Sequence, residues 1–142
     1  MEFLMKYVVA AIALCFTLSL STAQQKATES GGKANTERGR YIAENVALCI
    51  QCHTPRDGSG ELIFSRAFEG AAIPVAKPAQ LRVWAEFAPR IAGLPQYSDE
   101  QLITLLTTGI GREGKPLRSP MPTFKLSRQD AADVAAYLRS LK

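Results

Sequence analysis

Five consecutive residues, Cys49-Ile50-Gln51-Cys52-His53, concentrate most of the chemistry this sequence can perform. On a helical turn, thiols three residues apart lie on one face, and an imidazole follows them directly. Each thiol can add across a vinyl group to form a thioether, and the imidazole can then ligate the iron of the same macrocycle. C-x-x-C-H is the pattern for covalent attachment of c-type haem. Competing chemistries fail on the residues available. A thioredoxin-like redox pair calls for a βαβ context, and none is visible. A plain Cys49–Cys52 disulfide is sterically awkward and has no use for His53. A structural zinc site needs four N or S ligands, and apart from Cys15, in a segment read below as discarded, no further Cys or His exists.

With His53 as one axial ligand, the second follows by elimination. The chain has a single His, which excludes bis-histidine ligation. Met1 and Met5 fall in the same discarded segment, leaving Met121 in Ser119-Pro120-Met121-Pro122. A thioether opposite His gives iron with a raised potential, suited to electron transfer. The competing reading is a gap-filling core Met. Flanking prolines stiffen the backbone on both sides and favour the ligand.

Three helices would have to position these groups. The first is expected over about Thr36 to Leu48, capped by Asn35 or Thr36, with Tyr41, Ile42, Val46 and Cys49 along one side. Ser98-Asp99-Glu100-Gln101 has the form of a capping box for the second, with Leu102, Leu105 and Leu106 as its apolar face and Gly109 as its stop. Ser127-Arg128-Gln129-Asp130 opens the third, in which Ala131, Val134, Ala135, Leu138 and Leu141 follow helical spacing. Ile42, Val46, Ala135 and Leu138 are expected to pack together. The intervening stretch is rich in Gly and Pro, with turns at Asp57-Gly58 and Ser59-Gly60 and a short strand expected at Leu62-Ile63-Phe64. So long an irregular segment is unusual in a small domain unless it wraps around something. Trp84 and Phe87 could pack on a macrocycle there.

Ahead of these elements, Lys6 precedes an apolar run from Tyr7 to Leu20 and the small-residue segment Ser21-Thr22-Ala23. That is the form of a cleavable signal peptide, residues 1–23. The run is shorter than the roughly 20 residues that span a bilayer comfortably. Cleavage leaves about 119 residues, exported to the periplasm. Residues 24–35 read as a flexible polar leader.

These features together resemble the class I c-type cytochromes, over about residues 36–142. The Asn35–Cys49 segment is similar to the family's N-terminal helix, with Gly39 at a crossing point and Tyr41 as its aromatic. Pro89-Arg90-Ile91-Ala92-Gly93 is similar to its P-x-L-x-G segment, and the resemblance implies that the Pro89 carbonyl accepts a hydrogen bond from the His53 imidazole. Pro120-Met121-Pro122 resembles the distal-ligand loop, and Tyr137-Leu138 the aromatic-bearing C-terminal helix. Cys-His-Thr-Pro-Arg, the Ile110–Lys115 turn and Pro-Met-Pro resemble small cytochromes allied to membrane dehydrogenases. The implied fold is all-α, three main helices plus long irregular loops around one covalently bound haem c. The Asp57–Ala88 loop is longer than in minimal members.

With both axial positions filled, no coordination site is open to substrate, and no G-x-S-x-G element supplies a nucleophile. The expectation is a monohaem electron carrier, not an enzyme, serving a redox donor and acceptor, with a dehydrogenase among the candidate partners and at most peripheral membrane association. The alternative is a peroxidase-like or gas-binding protein in which Met121 is displaced. The charge agrees with a redox partner. A net +4 with 46% apolar residues excludes a wholly disordered chain and is too mild for a nucleic-acid surface. Arg112, Lys115, Arg118 and Lys125, against Glu113 alone, form a basic patch suited to an acidic partner.

Overall fold

The computed structural model describes residues 33–142; the signal-peptide reading and most of the polar leader lie outside them. Asn35 is the N-cap, its side chain accepting a hydrogen bond from Arg38 N at 2.9 Å. Helix α1 (Thr36–Tyr41) then widens into a π-helical turn over Ile42–Val46, closed by a bond from Ala47 N to Ile42 O of 2.7 Å. Leu48 follows in the left-handed region at φ 53°, and α2 (Cys49–His53) starts afresh in a new direction.

The expected continuous helix over 36–48 is therefore broken. A π turn holds one residue more than an α turn, so later side chains fall out of phase by about 100°. Ile42 and Ala43 are buried, whereas Val46, at the end of the widened turn, faces outward at 57% exposure; Tyr41, in the α turn ahead of it, is also exposed, at 60%. Val46 takes no place in the core beside Ala135 and Leu138.

The segment after α2 is folded by local hydrogen bonds. Asp57 Oδ1 accepts from Ser59 N, Ser59 Oγ and Glu61 N, closing the turn expected there. That turn sets Leu62 opposite Arg56 in a lone bridge, and Phe64–Arg66 coil into a 3₁₀ turn. The expected Leu62–Phe64 strand is absent. A single bridged pair gives no ladder to extend. Two short strands occur instead further on, β1 (Ala71–Ala72) and β2 (Phe87–Ala88), antiparallel with Ala71 opposite Ala88. Apart from this one small ladder the regular elements are helical, and long irregular segments connect them.

Helix α3 (Asp99–Thr108) begins with both halves of its capping box in place, Gln101 N to Ser98 Oγ at 3.2 Å and Ser98 N to Gln101 Oε1 at 2.9 Å. Its buried residues are Leu102, Ile103, Leu105 and Leu106. Helix α4 (Arg128–Ser140) has only the forward half of a box, Asp130 N to Ser127 Oγ. Ala131, Val134, Ala135 and Leu138 are all nearly inaccessible. Burying a Val or Leu contributes about 1.5–3 kcal/mol, and this stripe joins α4 to both α1 and α3. Asp133, 1% exposed, accepts from Asn35 N and Gln129 Nε2 and pairs with Arg38 Nε at 3.1 Å.

Across the α1–α4 crossing, Tyr137 Oη donates to Glu44 Oε1 at 2.5 Å, and the Tyr137 ring meets Phe68 edge-on at 5.9 Å. Burial, reinforced by the Glu44 carboxylate, pushes the Tyr137 phenol well above its ordinary range. An unfolded chain ionises this group near pH 10, whereas the folded chain keeps it protonated. Its contribution is thus complete below about pH 10 and is lost as pH rises above that value. The urea midpoint of the wild type should fall more steeply above about pH 10 than that of Tyr137→Phe. Parallel curves for the two proteins would remove this linkage.

Candidate functional site

Helix α2 is one turn and a fraction long, enough to bring Cys49 and Cys52 onto one face with His53 following. Both cysteines are half-buried and are not joined to each other. Burial pushes the Cys49 thiol up to about 11, so it remains a neutral S–H at physiological pH. His53 is 5% exposed. Its Nδ1 lies 2.8 Å from the carbonyl oxygen of Pro89. A carbonyl can only accept, so Nδ1 carries the proton and Nε2 holds the free lone pair. Burial lowers the His53 pKa, opposed in part by the Pro89 bond, and the ring is neutral at pH 7. Two thiols on one face, followed by a neutral, oriented imidazole whose Nε2 lone pair is free, form a donor set that fits covalent haem.

The Pro89 carbonyl is placed from several sides. Gly70 N donates to the His53 carbonyl at 2.8 Å, and β1 pairs with β2 immediately before Pro89. The Phe68 carbonyl accepts from Ile91 N and Ala92 N, and Phe68 N donates to Thr54 Oγ1 at 3.1 Å. Gly93 N donates to the Leu138 carbonyl at 2.8 Å, tying the segment to α4. The Arg139 guanidinium spans the carbonyls of Gly93, Leu94 and Tyr97 and the carboxylate of Asp99. The sequence marks Thr54 only as a member of Cys-His-Thr-Pro-Arg, with no role of its own, and Gly70 only as a glycine in a turn-rich stretch; Phe68 and Arg139 carry no signal there.

Met121 sits on the loop between α3 and α4. Gly109 ends α3, and Ile110 pairs with Pro116 across a turn. Leu117 N then returns to Gly109 O, and Leu126 N donates to the Leu106 carbonyl at 3.1 Å. Both ends of the loop are thereby pinned to α3. The Met121 side chain is half-buried against the core. Ala85 N donates to the Ser119 carbonyl at 2.7 Å, tethering the loop to the segment that precedes β2. In that segment Trp84 is half-buried, whereas Phe87 is 60% exposed. Of the basic patch, Arg112 bonds the Gln96 carbonyl and lies over the Tyr97 ring, and Lys115 pairs with Glu113. Arg118 and Lys125 are exposed, with no ion pair among the described residues.

The sequence of this domain is similar to those of known proteins. The family model described as cytochrome c matches residues 36–142. A curated protein named diheme cytochrome c-type, from Cereibacter sphaeroides, is 30% identical over 110 residues, 72% of this chain and 34% of that protein. The chain thus spans about a third of the length of the curated relative it matches. Family domains of this kind hold covalent haem c and act in electron transfer. With the match running from α1 to the last residue, across the cysteine pair and both helix crossings, the chain belongs to the cytochrome c family.

Proposed function

We propose that this chain carries one covalently bound haem c and works as a one-electron carrier, with Cys49 and Cys52 as the attachment points and His53 and Met121 as the axial ligands. The observation that carries the reading is the oriented imidazole: Nδ1 is committed to Pro89, which leaves Nε2 free on the one helix that also carries the two thiols. One C-x-x-C-H occurs in the sequence, so one haem is proposed although the relative is named diheme. When bound, the haem supplies an iron that cycles between ferric and ferrous states. The bond from His53 to Pro89 strengthens Nε2 as a donor and fixes the ring plane. The Met121 thioether favours the ferrous state and fills the remaining position, excluding substrate chemistry. Residues 1–23 direct export to the periplasm. Arg118 and Lys125, with Arg112 and Lys115, present positive charge to an acidic redox partner, of which a dehydrogenase is one class.

A pyridine haemochrome assay should give one haem per chain. In Met121→Ala the haem stays attached and carbon monoxide binds the ferrous protein rapidly. The one-electron equilibrium shifts at least about tenfold toward ferric, about 59 mV. The near-infrared methionine–iron band should vanish, and its persistence in the variant would refute the assignment. Rapid carbon monoxide binding by the resting wild type would instead support a peroxidase-like or gas-binding protein with a displaceable Met121.

A further inference from the structure

The bond from His53 to Pro89 joins residues 36 positions apart in the chain, so something must hold their two backbones at a set separation. Residues 68–70 lie between them and grip both. Toward the His53 side, Phe68 N donates to Thr54 Oγ1 and Gly70 N to the His53 carbonyl. Toward the Pro89 side, the Phe68 carbonyl accepts from Ile91 N and Ala92 N. Phe68 and Gly70 both have positive φ, 63° and 90°, which turns successive peptide groups toward opposite sides. The Phe68 ring is fully buried, so the segment is anchored in the core.

Gly70 is where this bracket is tightest. A Cβ there would stand 2.8 Å from Ala88 O, 2.8 Å from Arg90 N and 2.9 Å from Pro89 C. All three are backbone atoms of the segment that presents the Pro89 carbonyl, and none can swing aside as a side chain would.

We propose that Gly70 is a positioning residue: with only hydrogen between the His53 backbone and the Pro89 peptide, it sets the length of the bond from His53 Nδ1 to Pro89 O and thereby tunes the reduction potential of the haem iron. The proposal rests on His53 being the iron ligand. A short bond moves negative charge onto the ring, strengthens Nε2 and favours ferric iron. A Cβ at position 70 pushes Pro89 away, weakens the bond and raises the potential.

Three variants of the full haem-loaded protein test this. Gly70→Ala should shift the one-electron equilibrium about threefold toward ferrous, about 28 mV at 59 mV per tenfold. It should also speed solvent exchange of the His53 Nδ1 proton, followed by NMR in the ferrous state. Gly60→Ala is the control. Gly60 has nearly the same φ, 89°, but nothing within 4 Å of an added Cβ, so it takes on the positive-φ strain without the crowding. Its potential and exchange rate should match the wild type. Thr54→Val keeps the shape of the side chain but frees Phe68 N, loosening the bracket at its other end. It should move both readouts in the direction of Gly70→Ala.

A Gly70→Ala protein with full haem, wild-type potential and wild-type exchange overturns the proposal, whatever happens to its melting temperature. If Gly70→Ala yields no holoprotein, Thr54→Val decides, and unchanged readouts there overturn it. An equal shift in Gly60→Ala overturns it as well, because strain alone would then suffice. A wild type without covalent haem defeats the underlying His53 reading instead, and is detected before any variant is made.

Discussion

Replacing Cys49 and Cys52 together by Ala is expected to abolish covalent haem. Each thiol would form one thioether, so the single variants keep one link and yield sharply less holoprotein, while the double variant keeps none. The effect is large because attachment and folding are coupled in so small a domain. Below about 150 residues a chain buries a modest fraction of its surface, and a fixed apolar plate contributes to the core when it cannot diffuse away. The measurement is haem that co-migrates with the denatured chain after acid extraction, for the wild type, both single variants and the double variant. Full covalent haem in the double variant would refute the attachment. Neither Ala disturbs an observed ion pair, and the α2 turn favours Ala over Cys, so loss of haem would not reflect a poorer helix.

Gly39→Ala should cost the fold at least about 3 kcal/mol, a large share of the roughly 5–15 kcal/mol that holds a domain folded. Helix propensity argues the other way, since Ala exceeds Gly by about 1 kcal/mol inside a helix. Geometry decides between them. An added Cβ would lie 1.9 Å from Asp133 O, 2.4 Å from Asp133 C and 3.0 Å from Tyr137 Cβ. Two of these are α4 backbone atoms, so relief requires α1 and α4 to separate. Separation would strain the ties across the crossing, Asn35 to Asp133 and Tyr137 to Glu44. Urea unfolding of the haem-loaded protein measures the loss, and a variant within about 1 kcal/mol of wild type would show that the helices can part cheaply.

The crossing at Gly39 was legible because the resemblance marks that position, and the caps at Ser98 and Ser127 because a cap is a contact over three residues, although only the first closes as a full box. The cysteine motif was legible for the same local reason. The π turn was not. Nothing in Ile42–Val46 announces it; that turn lies where Glu44 meets Tyr137, 93 residues away. The Leu62–Phe64 expectation failed because three apolar residues fit a strand but do not supply a partner for it. Phe68 and Gly70 escaped notice since their roles depend on backbone packed between the His53 and Pro89 segments, and Thr54, though within a quoted motif, takes its role from a Phe68 N–H that its hydroxyl meets 14 residues away. Pro89 came from the family likeness, and the 2.8 Å contact with His53 now stands beside it as geometry.

The ladder between Ala71 and Ala88 has a consequence for how such a domain can change over generations. Its pairing, with the bond from Ile73 N to Glu86 O, closes the intervening residues into a side loop whose ends meet beside Pro89. Doubling the length of a closed loop costs only about 0.6 kcal/mol of chain entropy. Insertions and deletions between the two strands are therefore cheap, and they leave the His53–Pro89 contact where it is. Among the described residues, the Ala85–Ser119 tether is the one backbone hydrogen bond by which such a change would reach the Met121 loop. Descendants of this chain can thus vary the length of that side loop while the His53–Pro89 pair stays under separate selection.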